Sequence, residues 1–207
     1  MLAACFKRAR LKGLVAAQPR GAIDSTCFNT RHCSRYFIDR QGPHRGRRVI
    51  PGYCKLTAVC DIDSHLFCGA VVSFGRTVDH VQFEEAVRQA AGQLSLGCLL
   101  ADAGYDGENH HALCRDELGI GDTVFNLNRR NNGRKWPKTP YRREMTWRLK
   151  QGDYGQRWQI ESDFSRNKRR LGESLRARNE SSQQAEVLMR VLTHNLMLLR
   201  LNDKDFN

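Results

Sequence analysis

Leu96-Gly97-Cys98-Leu99-Leu100-Ala101-Asp102-Ala103-Gly104-Tyr105-Asp106 is an apolar run that stops on an acid and a turn. It reads as a short buried strand with Asp102 at its C-terminal edge. Just upstream, Phe83, Ala86, Val87, Ala90, Ala91 and Leu94 recur at helical spacing and predict an amphipathic helix between Asp79 and Leu94. Before that, Gly21 to Phe28 is a β-prone segment that carries an acid, and it predicts a strand holding Asp24 near its end. Lys55 to Asp61 and Leu66 to Phe74 read as a hairpin around Asp-Ile-Asp-Ser-His, giving three antiparallel strands. After Asp102, residues 107–118 look helical and Asp122 to Leu127 looks like another strand. The order is β, β, β, α, β, α, β, an α/β chain. A long charged helix is expected from Asp153 to Leu171, and an apolar one from Gln183 to Arg200.

The 207 residues suit one domain with its own core. The formal charge of +12 is unevenly distributed. Residues 1–50 hold 11 Lys/Arg against 2 Asp/Glu, residues 51–125 hold 4 against 11, and residues 126–207 hold 19 against 9. Basic ends around an acidic middle fit a protein that gathers phosphates about a carboxylate site, with nucleic acid as the leading partner class, and equally a solvated basic surface, so the motifs have to decide. Residues 29–52 read as a basic loop. Asn128 to Arg143, with seven basic residues, no acid and two prolines, is expected to be irregular and exposed. Trp136 there fits either a platform for a base or a loop anchor.

Eight cysteines, Cys5, Cys27, Cys33, Cys54, Cys60, Cys68, Cys98 and Cys114, form no Cys-x-x-Cys pair, and several lie in apolar runs where a thiol acts as a small hydrophobe. A reducing, cytoplasmic setting follows, and Met1 to Leu14 has too little apolar length for a membrane span. Asp61 and Asp63 read as turn residues, His110 and His111 as incidental surface histidines, and Asp106 as a helix N-cap.

At 100° per residue, Tyr154, Arg157, Glu161 and Lys168 fall within about 60° of one another on the Asp153–Leu171 helix. On its own, such a stripe describes a solvated helix face. If it faces the strand ends bearing Asp24 and Asp102, it brings a third carboxylate, two cations and a phenol to them. Three carboxylates suit hard divalent cations that activate phosphodiester chemistry, while Arg157 and Lys168 hold phosphates.

The spacing Tyr154-x₂-Arg157-x₃-Glu161-x₆-Lys168 resembles the Tyr-Arg-Glu-Lys signature of bacterial insertion-sequence transposases of the family conventionally numbered four. Ala22-Ile23-Asp24-Ser25-Thr26 resembles the first-aspartate motif of that family, and Leu99 to Asp106 the second. The likeness continues through Asn167-Lys168-Arg169-Arg170-Leu171-Gly172 and spans residues 20 to about 200. It implies a ribonuclease-H-like fold, a mixed five-stranded sheet flanked by helices. It further implies that Asp24, Asp102 and Glu161 are catalytic and bind two Mg²⁺ or Mn²⁺ ions. These would serve strand cleavage at the element's ends and 3′-hydroxyl strand transfer, with Tyr154, Arg157 and Lys168 contacting DNA. The implied partners are double-stranded DNA and a second copy in a synaptic dimer, in a bacterial cytoplasm.

The expected divisions are a basic N-terminal segment over 1–20, a catalytic domain over 21–202 with a basic insertion-like segment at 128–150, and a tail at 203–207. Only 23 residues precede Asp24, and Asp102 and Glu161 are 59 positions apart. End recognition is therefore left open, and the basic segment over 128–143 reads either as a reduced form of the family's insertion or as the mark of a more compact subgroup. An alternative reading is a truncated product that binds DNA or a full-length partner without catalysis. A host nuclease of the same fold fits the spacing less well.

Overall fold

The computed structural model describes residues 2–30, 53–75, 78–128 and 137–204. Most of the basic loop read over 29–52, Cys33, Trp136 and the end of the tail lie outside the described residues. The strands are β1 (Arg20–Thr30), β2 (Tyr53–Asp61), β3 (Phe67–Phe74), β4 (Cys98–Ala101), β5 (Asp122–Phe125) and β6 (Ser174–Leu175). The helices are α1 (Leu2–Leu11), α2 (Phe83–Ala91), α3 (Glu108–Ala112), α4 (Pro140–Arg148), α5 (Trp158–Leu171) and α6 (Glu180–Lys204).

The main sheet runs β3-β2-β1-β4-β5, with the two-residue β6 pairing β1 at its far end. β1, β2 and β3 are antiparallel neighbours, as the hairpin reading requires, whereas β4 and β5 run parallel to β1. This mixed sheet between helical layers is the ribonuclease-H-like architecture expected from the motifs.

Alternation along β1 separates two cores. Ile23 lies with Val59, Leu99, Ala101 and Tyr105 beneath α1 and α2. Ala22 and Phe28 lie with Ala58, Cys60, Leu100 and Val124 beneath α5 and α6. In α1, Cys5, Phe6 and Ala9 form one apolar stripe and are buried in the first of these cores. Each large side chain so buried contributes about 1.5–3 kcal/mol. Against β3, α2 sits so close that a Cβ on Gly69 would stand 2.2 Å from the Ala86 carbonyl oxygen. At the start of β3, the buried Asn195 amide accepts from the Phe67 N–H at 2.9 Å and donates to its C=O at 2.9 Å, which satisfies that residue's backbone groups.

Three sequence expectations are corrected. The helix expected from Asp79 opens as a 3₁₀ turn, Asp79–Gln82, and becomes α-helical only at Phe83. The segment expected to be irregular through Arg143 turns helical at Pro140. Proline there occupies an N-terminal position that needs no N–H donor, and the Glu108 carboxylate accepts from the N–H groups of Tyr141 and Arg142 at 3.0 and 3.1 Å. The single helix read from Asp153 is a 3₁₀ turn, Asp153–Arg157, entered through Gly152 at φ 96°, and then α5. Among the described residues every cysteine is a free thiol, and no helix is long and apolar enough to cross a membrane.

Candidate active site

The parallel ladder between β1 and β4 ends at Ile23 opposite Ala101. The next residues on the two chains are Asp24 and Asp102, which therefore stand in one row on strands about 4.8 Å apart. Asp24 is not near the end of its strand, as the sequence suggested. β1 continues to Thr30 because β2 pairs with it as far as Asn29 and β6 takes up Asn29 and Thr30. What ends beside Asp24 is β4, and its shortness opens the cleft. Asp102 caps the one-turn 3₁₀ helix that follows it, its Oδ1 accepting from the Ala103 N–H at 2.7 Å.

Glu161 lies in the first turn of α5. Arg157, at the junction of the 3₁₀ turn and α5, joins it to the sheet: Nη1 donates to Asp24 Oδ2 at 2.9 Å, and Nη2 donates to Glu161 Oε1. Because Tyr154 and Arg157 are on a 3₁₀ turn, the 100° stripe does not apply to them. Residues three apart on such a turn eclipse one another instead, and both still face the cleft. The Tyr154 hydroxyl faces Arg157 and Asn126. Burial chiefly raises its pKa, and the nearby Asp102 charge adds to the rise.

Asp24 shows the same balance. Burial raises its pKa above the usual carboxylate range, against the Ser25 N–H at 2.8 Å and the Arg157 cation, which favour its charge. Burial disfavours the Arg157 charge as well, but the Asp24 charge and the Glu161 hydrogen bond outweigh it and hold its pKa above the ordinary value. With a side chain only 17 % exposed, this guanidinium is bound within the cleft.

An open groove of about 490 Å³ runs past this cluster, lined by Asp24, Thr26, Glu161, Lys168, Arg169 and Glu173 among others. The Lys168 ammonium lies 5.4 Å from the centre of the buried Phe28 ring, a cation–π contact. Asp24, Glu161 and Lys168 thus share the groove wall. Asp102 does not line it and lies across the row, toward Tyr154.

Among the described residues, no three His, Cys, Asp or Glu side chains converge as a ready ligand set for one ion. Asp24 and Glu161 are instead bridged by Arg157. The donors offered by Asp24, Asp102 and Glu161 are carboxylate oxygens alone, a chemistry that fits hard divalent cations.

Sequence reading missed a second polar cluster. Asp106 is buried and does not cap α3, whose N-cap is Gly107. Its carboxylate accepts from Arg142 Nε at 3.0 Å and Nη2 at 2.8 Å, and from the Asn128 N–H at 2.8 Å. His111, read as a surface residue, is fully buried, with Nδ1 2.6 Å from the Thr123 hydroxyl and Nε2 3.9 Å from Asp106. One carboxylate, four residues beyond Asp102, thereby holds together two points of the basic region that are 14 residues apart in sequence. No local pattern announces this, because Arg142 is one of many exposed-looking cations. Asp61 and Asp63 do behave as turn residues, Asp61 accepting from the Ser64 hydroxyl and the Asp63 N–H.

No curated protein matches the chain. A family model described as a transposase DDE domain matches residues 16–196, from just before β1 to well into α6 and including Asp24, Asp102 and Glu161. Members of that family typically bind DNA and divalent metal ions and act in DNA transposition and recombination. With most of its length matched and with the mixed sheet that such a domain requires, this chain belongs to the DDE-domain transposases.

Proposed function

We propose that the chain cuts and joins DNA at the ends of an insertion sequence, by metal-dependent strand cleavage followed by 3′-hydroxyl strand transfer, within the Tyr-Arg-Glu-Lys group. What supports this reading is Asp24 and Asp102 in one row of adjacent parallel strands, with Glu161 joined to Asp24 through Arg157. Asp24, Asp102 and Glu161 are the residues that would hold Mg²⁺ or Mn²⁺, which when bound supplies Lewis-acid stabilisation of charge at a phosphoryl group.

The protein's own part is to bind and orient the strand. Lys168 offers the groove a cation that is held against the buried Phe28 ring. Arg157 presents a planar fork suited to two oxygens, whether of carboxylates or of a phosphate. The Tyr154 hydroxyl, protonated over the neutral range like any tyrosine, would donate to a phosphate oxygen. A second copy would complete a synaptic pair of DNA ends.

The test is nicking and strand transfer on a duplex carrying the element's terminal sequence, with Mg²⁺ or Mn²⁺ added. Asp24→Asn, Asp102→Asn and Glu161→Gln are each expected to reduce product to background while circular dichroism stays unchanged. Full activity in any one of them refutes the assignment of that acid. Tight DNA binding by the unmutated chain with no product under any metal would favour the non-catalytic DNA-binding alternative.

A further inference from the structure

β4 stops at Ala101, so the sheet's own hydrogen bonds end one residue before Asp102. A carboxylate beyond the last ladder bond needs another restraint if it is to keep its spacing from Asp24, and Tyr105 supplies one. Its backbone N–H donates to the Asp102 carbonyl at 2.9 Å, closing the turn. Its hydroxyl lies 2.9 Å from Ser25 Oγ, which in turn lies 2.8 Å from Thr57 Oγ1. Ser25 and Thr57 are directly opposed in the β1–β2 register, and the Ser25 N–H donates to Asp24 Oδ1 at 2.8 Å.

The three hydroxyls thus form a chain from β2 across β1 to the turn that carries Asp102, on the face of the sheet opposite Asp24. Tyr105 and Thr57 are almost wholly buried, and the Tyr105 ring packs 5.6 Å from that of Phe83. Tyr105 thus ties the two strands together, its backbone N–H held by the Asp102 carbonyl and the hydroxyl of its rigid side chain by Ser25, the neighbour of Asp24. Packing alone would be served equally well by phenylalanine. What the hydroxyl adds is its contact with Ser25.

We infer that Tyr105 is a positioning residue: through the Tyr105–Ser25–Thr57 hydroxyl chain it sets the separation of Asp24 and Asp102, and with it the affinity of the cleft for a divalent cation. This rests on the proposed reading of those acids as metal ligands. Groups that orient metal ligands from behind typically change metal affinity or activity by about 10–100-fold when removed, and Tyr105→Phe is expected to fall in that range.

The experiment is calorimetric titration of the full chain with Mn²⁺, without DNA, for the unmutated protein and for Tyr105→Phe, Ser25→Ala, Asp24→Asn and Tyr141→Phe. The last is a matched control, removing a tyrosine hydroxyl bonded to Asp116 at 2.6 Å, remote from the chain of hydroxyls. Tyr105→Phe and Ser25→Ala should each weaken Mn²⁺ binding about tenfold or more, with Tyr141→Phe unchanged. In the nicking assay, excess Mn²⁺ should restore much of the Tyr105→Phe rate, with KM for DNA unaltered.

Mn²⁺ affinity of Tyr105→Phe equal to the unmutated value, while Asp24→Asn loses binding, overturns the positioning role and leaves the site reading intact. Equal losses in Tyr105→Phe and Tyr141→Phe also overturn it, since they would report general loosening. Undiminished binding in Asp24→Asn would overturn both readings together. Should Tyr105→Phe fold poorly by circular dichroism, Ser25→Ala carries the same comparison.

Discussion

Replacing Arg142 with alanine should destabilise the protein far more than an average cation on a basic surface would. The side chain is 17 % exposed, and its partner Asp106 is fully buried. Arg142 Nε and Nη2 supply donors at 3.0 and 2.8 Å, and Nη2 also donates to the Asn128 carbonyl at 3.2 Å. Removing one partner of a buried pair costs about 3–5 kcal/mol, because the charge left behind is neither solvated nor neutralised. Asp106 would retain the Asn128 N–H and the His111 ring nearby, so a value near the lower end, about 3 kcal/mol, is expected. For a domain of this size each kcal/mol lowers Tm by about 2–4 °C, which makes a fall of roughly 6–12 °C. Replacing both residues with leucine leaves no buried charge and should cost less than Arg142→Ala alone. Urea unfolding of Arg142→Leu, Asp106→Leu and the double leucine variant beside Arg142→Ala, with slopes compared, measures the coupling. A cost below about 1 kcal/mol for Arg142→Ala, or a double variant equal to the sum of the singles, would refute the reasoning.

The same carboxylate predicts an acid limb in stability. Burial alone would raise the Asp106 pKa, but the His111 ring, the Arg142 fork and the Asn128 N–H outweigh it and hold it below the ordinary 3.8. A depressed folded pKa contributes stability that is present above the ordinary value and lost as pH falls through the folded one. The stability gap between the unmutated protein and Asp106→Asn should therefore be full at pH 7 and close below about pH 4; a gap unchanged down to pH 3 would count against it. Gly69→Ala should lower the urea midpoint by an amount corresponding to about 1–3 kcal/mol, since its Cβ would meet the α2 backbone at 2.2 Å and no flexible side chain can yield. An unaltered midpoint would show that α2 can move away freely.

Sequence by itself determined the order of β1 to β5 and of α2, α3, α5 and α6, though not α1, α4 or β6, because period-2 and helical apolar patterns survive whatever packs against them. It also marked Asp24 and Asp102 as acids in strand-like runs, and fixed the spacing of Tyr154, Arg157, Glu161 and Lys168. What it could not carry were features whose cause lies elsewhere in the chain. The start of α4 depends on Glu108, about thirty residues away, which accepts from its first N–H groups. The 3₁₀ turn before α5 follows from entry through Gly152 at positive φ, and no side-chain periodicity reports that. Asp106, His111 and Arg142 look like surface residues by type and become a buried cluster only when residues 106, 111, 123, 128 and 142 meet. The row containing Asp24 and Asp102 is likewise a matter of register: it exists because β4 ends beside the middle of β1, a pairing between segments about eighty residues apart that only the folded sheet decides.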